Sequence, residues 1–103
     1  MARGIMLVQS KASPGELDAF NTWYDQVHIP EILAVDGFVS ARRFLAADGE
    51  TYVAVYEIDG DVEAAQANLA EARGAGKMTP PVGLLLDPPP VSRYLPEIGA
   101  FTA

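Results

Sequence analysis

The sequence has no cysteine, one histidine and few basic residues, and these shortages exclude several classes of protein. Without cysteine the chain cannot form a disulfide scaffold, a thiolate metal site or a cysteine nucleophile. With one histidine, a zinc site would need carboxylates for its remaining ligands. Seven Lys and Arg stand against fourteen Asp and Glu, and the net charge of −7 would repel nucleic-acid phosphates. We therefore expect neither a nucleic-acid partner nor a metal site.

Long apolar runs are lacking as well. No run approaches the roughly 20 residues that span a bilayer, and the first four residues contain no apolar signal-peptide region. We expect a cytoplasmic protein without a membrane partner, folded as one domain over residues 1–103. Half of the residues are hydrophobic, which is a large share for a domain with so much surface per volume. This surplus predicts apolar surface that a partner covers.

Apolar spacing and turn signals predict four strands and two helices. The strands are expected at about 5–9, 38–45, 52–58 and 91–95, and the helices at about 14–29 and 62–73. Ser13 is the candidate N-cap of the first helix, which should end near His28 or Ile29 because Pro30 disfavours helical geometry in the residue before it. The connection 74–90 holds five of the eight prolines, and its length indicates a pocket lid or an arm to a partner.

This order predicts an α+β fold, the ferredoxin-like βαββαβ plait, with a four-stranded antiparallel sheet and two helices on one face. Alternation places Phe38 with Ser40, Arg42 and Phe44 on one face of their strand, and Arg43 on the other. Two helices cannot cover both faces of four strands. Since the predicted strands are apolar on both faces, a second copy of the same sheet is the simplest cover.

One stretch of the sequence resembles a known superfamily. The run Trp23 to Glu31 (WYDQVHIPE), followed by Asp36-Gly37-Phe38 and the pair Arg42-Arg43, is similar to the dimeric α+β barrel superfamily and, more narrowly, to its EthD-like group. The likeness covers about residues 5–58. It implies a homodimer whose two sheets face each other as an α+β barrel, with a pocket between the sheet and the helices of each protomer. The superfamily includes cofactor-free monooxygenases, polyketide cyclases, lactone isomerases, a hydroxynitrile lyase and haem-binding enzymes.

His28 and Tyr24 are the candidate catalytic residues. His28 lies at the edge of the apolar helix stripe and titrates near neutrality, so it could serve as general base or acid. The alternative is that its ring caps the helix C-terminus. Tyr24 lies one turn earlier and could hold a carbonyl or enolate oxygen, or its ring could belong to the core. A role of His28 as haem ligand has no supporting signal, and we expect no cofactor.

The candidate substrate-binding residues come from the same helix and from two strands. They are Arg42, Arg43, Trp23, Asn21 and Tyr56. Only one of the two arginines can face the helices, where a substrate acid or enolate could pair with it. The alternatives are an ion pair with Asp25, Glu31 or Glu57, or solvation. Trp23 could instead seal helix packing or a dimer contact, and Tyr56 could lie in the sheet interface.

Three functions remain open from the sequence. The first is a cofactor-independent enzyme that transfers a proton on a small apolar carbonyl or aromatic, polyketide-like compound, as an isomerase, cyclase, lyase or cofactor-free oxygenase does. The second is a non-catalytic protein that binds a small molecule in the same pocket. The third is an accessory protein that uses its dimer interface and proline-rich segment for partner contacts.

Overall fold

The computed structural model describes residues 3–103, which form an α+β fold around one four-stranded antiparallel sheet. The strands are β1 (Arg3–Ser10), β2 (Phe38–Leu45), β3 (Tyr52–Asp59) and β4 (Val91–Pro96), and the helices are α1 (Leu17–Trp23), α2 (Ile29–Leu33) and α3 (Val62–Gly74). A π-helical turn, Tyr24–His28, joins α1 to α2. The sheet order is β2-β3-β1-β4. This layout is compatible with a ferredoxin-like fold.

The first helical stretch does not end where Pro30 predicts. It continues through Pro30 to Leu33, because the turn immediately before the proline is π-helical. Proline has no N–H and its ring collides with the carbonyl four residues earlier in an α-helix. A wider turn before Pro30 moves that carbonyl away, so the helix passes the proline without a break. Such π-helical turns are frequent at functional sites, and this one carries Tyr24 and His28.

The start of the same helix also differs from the prediction. Ser13 does not cap it, and Glu16 occupies the N-cap position without a side-chain hydrogen bond. The backbone N–H of Ser13 donates instead to the carbonyl of Gly83, at 2.7 Å. Gly83 has a φ of +70° and lies so close to the start of α1 that a Cβ atom would come within 2.9 Å of the Glu16 carbonyl oxygen. A side chain at residue 83 would therefore push the connection 75–90 off α1.

A β-bulge in β2 moves Phe38 to the face opposite to the one predicted for it, whereas the predicted faces of residues 40–45 are confirmed. Phe38 pairs with Ile58, but Ser40 pairs with Glu57, so Val39 is an extra residue. Phe38 therefore lies on the helix side of the sheet together with Ala41 and Arg43, and the prediction that it shares a face with Arg42 is wrong. Strict alternation cannot anticipate one inserted residue.

The core lies between the sheet and the helices. Its largest fully buried side chains are Tyr56, Phe20, Met6, Ile32, Ile58 and Leu69. Phe20 and Tyr24 meet edge to face at 5.5 Å, and Phe20 meets Tyr52 in the same way at 5.4 Å. Edge-to-face contacts of this kind favour one arrangement of the rings. They fix the helical stretch over the centre of the sheet.

No helix within residues 3–103 covers the face of the sheet opposite the helices. Strand register places on it Ile5, Leu7, Phe44, Val53, Val55, Val91 and Leu95, together with the polar residues Gln9, Arg42 and Arg93. Phe44 and Val91 are each about half exposed, at 52% and 53%. A polar contact interrupts this outer face where Arg3 pairs with Glu57 at 3.3 Å and the Ser40 hydroxyl donates to the same carboxylate. Several large apolar side chains on this face are therefore exposed in the single chain.

Candidate functional site

A cavity of about 380 Å³ lies between the helical stretch, the sheet and the proline-rich connection. Its walls are lined by Met6, Val8, Ser10, Trp23, Tyr24, His28, Ile32, Arg73, Met78, Thr79, Pro80, Pro81, Leu84, Pro90 and Ser92. Most of this lining is apolar, and a few polar groups converge on it. That combination is typical of small-molecule sites. Three predicted site residues meet here: Trp23, Tyr24 and His28.

The imidazole of His28 is held by the two aromatic rings before it. It stacks on the indole of Trp23 at 4.5 Å between centroids, and it meets Tyr24 edge to face at 5.0 Å. The π-helical turn brings these three side chains to one side of the helix. The ring of His28 is thus fixed at the cavity wall rather than free at a helix end.

Burial lowers the pKa of His28 to about 4, and the positive charge of Arg73 adds to the effect. The carboxylate of Glu31 acts in the opposite direction. His28 is therefore a neutral imidazole at pH 7, with one nitrogen able to accept a hydrogen bond and the other able to donate one.

Several polar atoms beside the cavity are buried and have no hydrogen-bond partner within residues 3–103. They are the hydroxyl oxygens of Ser10, Tyr24 and Tyr56 and the indole nitrogen of Trp23. Ser10, Trp23 and Tyr24 line the cavity itself, and each is at most 6% exposed. An unsatisfied buried polar group costs about 1–3 kcal/mol, so native proteins rarely keep several together without a role.

The two tyrosine hydroxyls remain protonated over the whole physiological range. Burial raises the pKa of Tyr24, against smaller opposing effects from the nearby Tyr56 hydroxyl, from Arg43 and from Ser10. Burial also raises the pKa of Tyr56, and the neighbouring Tyr24 adds to it. The hydroxyls approach each other without meeting hydrogen-bond geometry. A protonated Tyr24 in the cavity wall is a hydrogen-bond donor for an oxygen atom of a bound molecule.

The connection between α3 and β4 closes one side of the cavity. Thr79 binds Glu31 of α2 twice: its N–H donates to one carboxylate oxygen at 2.8 Å, and its hydroxyl donates to the other at 2.6 Å. These two bonds lower the pKa of the Glu31 carboxyl. Thr79 and the prolines that follow it therefore form one wall of the cavity, which two hydrogen bonds join to α2.

The predicted arginines fall on opposite faces of the sheet, and neither lines the cavity. Arg42 lies on the outer face, opposite Val55. Arg43 lies on the helix side, where it pairs with Asp25 at 2.7 Å and donates to the amide oxygen of Asn21 at 2.9 Å. Its guanidinium also covers the rings of Tyr24, Tyr52 and Phe20, at 4.5, 5.5 and 5.6 Å. Arg43 and Asn21 thus lie behind the ring of Tyr24, and neither Asn21 nor the fully buried Tyr56 lines the cavity.

Removing the Arg43 side chain is expected to destabilise the fold. Arg43→Ala deletes a stem and a guanidinium that pack on three rings, and it leaves the Asn21 amide without its partner. We expect the free energy of unfolding to fall by about 2 kcal/mol. Urea denaturation followed by circular dichroism measures this loss. Lys77→Ala removes an exposed positive charge with no ion pair within residues 3–103, and should change stability by at most about 0.5 kcal/mol. Equal losses in the two variants would contradict a packing role for Arg43.

The sequence interpretation missed Arg73, which ends the last turn of α3 and lines the cavity. Its position before Gly74 and Gly76 is that of a basic residue at a helix C-terminus, which usually needs no further explanation. Nothing in the local pattern points from α3 toward His28. Only the packing of α3 beside β1 and the helical stretch brings the two together.

A second hollow, of about 310 Å³, lies between α2 and α3 and is more open than the cavity. Its walls carry carboxylates of Glu31, Asp36 and Glu71. None of the unpartnered buried atoms described above lines it. The cavity at His28 is therefore the stronger candidate site.

Comparison with family models, with curated proteins and with solved structures finds no match to this chain. The fold and the cavity define a class only: a small α+β protein with a partly open, mostly apolar pocket. None of the helices within residues 3–103 has the length and apolar character needed to cross a bilayer. Within the same residues, no three carboxylate or imidazole side chains come together as a metal site requires.

Proposed function

We propose that this chain is a homodimeric, cofactor-independent enzyme that transfers a proton on a small apolar carbonyl compound of aromatic or polyketide-like character. His28 accepts the proton, and the Tyr24 hydroxyl donates a hydrogen bond to the oxygen on which negative charge develops. The reaction belongs to the isomerase, cyclase, lyase or cofactor-free oxygenase type. In the proposal, each of these reaction types begins with the formation of a carbanion or enolate, and His28 and Tyr24 serve that common step.

The observation that carries the proposal is the group of unpartnered donors in an otherwise apolar cavity. The Tyr24 hydroxyl, the Ser10 hydroxyl and the Trp23 indole N–H are buried atoms of residues that line it, and none has a hydrogen-bond partner within residues 3–103. A carbonyl oxygen accepts hydrogen bonds and an apolar body fills the remaining space, so a compound of this class satisfies both features. Fixed donors in a dry site stabilise a developing oxyanion without reorganising, which is the usual main source of catalysis.

The state of His28 supports the direction of proton transfer. A neutral imidazole at pH 7 takes up a proton and cannot give one, so His28 fits the role of base for the first step. Stacking on Trp23 fixes the ring plane, which limits where the reacting carbon must lie. Because the imidazole has one orientation, it can remove a proton only from a substrate held in the matching orientation. Such positioning contributes to the reaction rate.

The outer face of the sheet supports the homodimer. That face carries seven apolar side chains on four strands beside Gln9, Arg42 and Arg93, and the helices cover only the other face. A second copy supplies a complementary apolar sheet by twofold symmetry. Sheet-to-sheet pairing would make the α+β barrel of the superfamily that the first half of the sequence resembles, with the EthD-like group as its narrower form.

Proton exchange in deuterated water tests the enzyme proposal without knowledge of the natural substrate. We expect the wild-type protein to accelerate the exchange of the α-protons of small phenyl-substituted ketones, such as 4-phenylbutan-2-one, for deuterium. Proton NMR measures the loss of the α-proton signals. His28→Gln should lower that rate by about 100-fold or more, because general-base catalysis contributes at least this much. Lys77→Gln, which changes an exposed residue outside the cavity, is the control and should keep the wild-type rate.

Two outcomes would contradict the proposal in different ways. A His28→Gln variant with the wild-type exchange rate would exclude His28 as the base. A wild-type protein that binds the ketones but exchanges none of their protons would favour the second function, a non-catalytic protein that binds a small molecule. One observation favours that alternative: a pKa near 4 makes His28 a weaker base than the ideal for pH 7.

A further inference from the structure

Arg73 is a cation at the cavity with no carboxylate to balance it. The three ion pairs within residues 3–103 join Arg3 to Glu57, Lys11 to Glu50 and Arg43 to Asp25. Arg73 takes part in none of them, although the chain carries twice as many acidic as basic residues. Arg73 is an exposed residue that also lines the cavity, so a negatively charged group that enters the cavity from water can reach it.

The charge of Arg73 reaches the inner wall of the cavity. It lowers the pKa of His28 on the helical stretch, and it acts in the same direction on Tyr56 of β3 and Tyr94 of β4. The electrostatic effect of Arg73 thus extends to groups on three different elements.

The opposite wall provides hydrogen-bond donors rather than charge. Ser10, Trp23 and Tyr24 are nine-tenths or more buried, line the cavity and have unpartnered polar atoms. Three uncharged donors and one guanidinium together form a site for oxygen atoms that carry negative charge. Between them lie the apolar walls of Met6, Val8 and Ile32.

We propose that Arg73 is the anion-recognition residue of this cavity, and that its ligand is a small apolar or aromatic compound bearing a carboxylate or an equivalent delocalised oxyanion. This inference rests on the proposed function and narrows its substrate class. The anionic group binds the guanidinium, the apolar body fills the space between the sheet and the wall that Thr79 and the following prolines form, and a second oxygen accepts from Tyr24.

The anion also changes His28. A carboxylate against Arg73 cancels the positive charge that disfavours the imidazolium, so His28 becomes more basic when the ligand binds. The other charged groups that act on His28 and Arg73 include Glu31, which already raises the pKa of His28. A neutral ligand of the same shape leaves the guanidinium uncompensated and has no such effect. Substrate charge would thus help to activate the base.

Matched pairs of a carboxylate and its primary amide test the inference. The pairs are phenylacetate, 3-phenylpropanoate and cyclohexanecarboxylate with their amides, and quenching of the single tryptophan, Trp23, reports binding in the cavity. We expect wild-type protein to bind the carboxylates about tenfold or more tightly than the amides. Arg73→Gln should abolish the preference and leave amide binding unchanged, Arg73→Lys should keep part of it, and Lys77→Gln should keep all of it.

A second readout separates recognition from a structural role of Arg73. Proton NMR follows the only histidine in the chain, and its pKa should rise when a carboxylate saturates wild-type protein, but not when the amide does. Equal binding of carboxylates and amides to wild-type protein, or a preference that survives in Arg73→Gln, would overturn the anion site and leave the ketone exchange of the proposed function intact. Failure of all six compounds to bind would overturn the anion site together with its ligand class.

Discussion

A lysine in place of Val55 is expected to hold the protein as a monomer. Val55 lies on the outer face in β3, between Leu7 of β1 and Arg42 of β2. In a symmetric sheet-to-sheet dimer the substitution buries two ammonium groups, one from each copy, and a buried unpaired charge costs several kcal/mol. A total of about 4 kcal/mol raises the Kd of the dimer roughly a thousandfold. Analytical ultracentrifugation over a range of concentrations measures the change.

The matched control places the same charge where no contact is expected. Gln66 is exposed on α3, so Gln66→Lys should leave the dimer intact. Circular dichroism of Val55→Lys must show a folded protein, because a loss of fold would imitate dissociation. A wild-type protein that sediments as a monomer at every concentration would rule out the homodimer, and a folded Val55→Lys dimer would place the interface elsewhere.

The second large effect is a loss of stability below neutral pH that comes from one residue. The pKa of His28 is about 4 in the folded protein and 6.5 when the ring is free. The unfolded chain therefore binds more protons than the folded chain between these two values, so stability is full above pH 6.5 and declines as the pH falls toward 4. Below pH 4 both states are protonated and the loss stops growing. The two values correspond to about 3 kcal/mol.

His28→Gln separates this loss from the titration of the carboxylates, which both proteins share. Urea denaturation at several pH values between 7 and 4 should show a steeper decline for wild-type protein than for the variant, by up to about 3 kcal/mol over the interval. Proton NMR of the single histidine gives the folded-state pKa directly. A value near 6.5 would contradict the burial of the ring and the influence of Arg73 on it.

The elements of the fold could be predicted from the sequence, because each rests on local spacing. The strand at residues 38–45 matches β2, and α3 ends one residue after the predicted helix. The path of the helix past Pro30 was harder to predict. The rule that proline ends a helix applies to α-helical geometry, whereas here a π-helical turn precedes the proline and lets the helix continue. That turn depends on how Tyr24 and His28 pack, which rules based on neighbouring residues do not include.

The cavity was predicted in part. Trp23, Tyr24 and His28 share one helical stretch, so helical spacing brings them close and the sequence alone could indicate them. Ser10 and Arg73 come from β1 and α3, sixty-three positions apart in the numbering, and only tertiary packing puts them in one wall. The sequence left open which of Arg42 and Arg43 faces the helices, for a smaller reason. One extra residue at Val39 decides which side chain faces the helices.

Because Arg42 and Arg43 are consecutive, an arginine faces the helices whether or not β2 contains the bulge at Val39. With Val39 bulged out, Arg43 reaches the rings of Phe20, Tyr24 and Tyr52. If the same chain paired without the bulge from Phe38 onward, Arg42 would lie opposite Ala54 and take the same place. An arginine behind Tyr24 would therefore be kept if β2 slipped by one residue. Two consecutive residues of one type can thus keep that side chain on a given face of the sheet when the strand register slips by one residue.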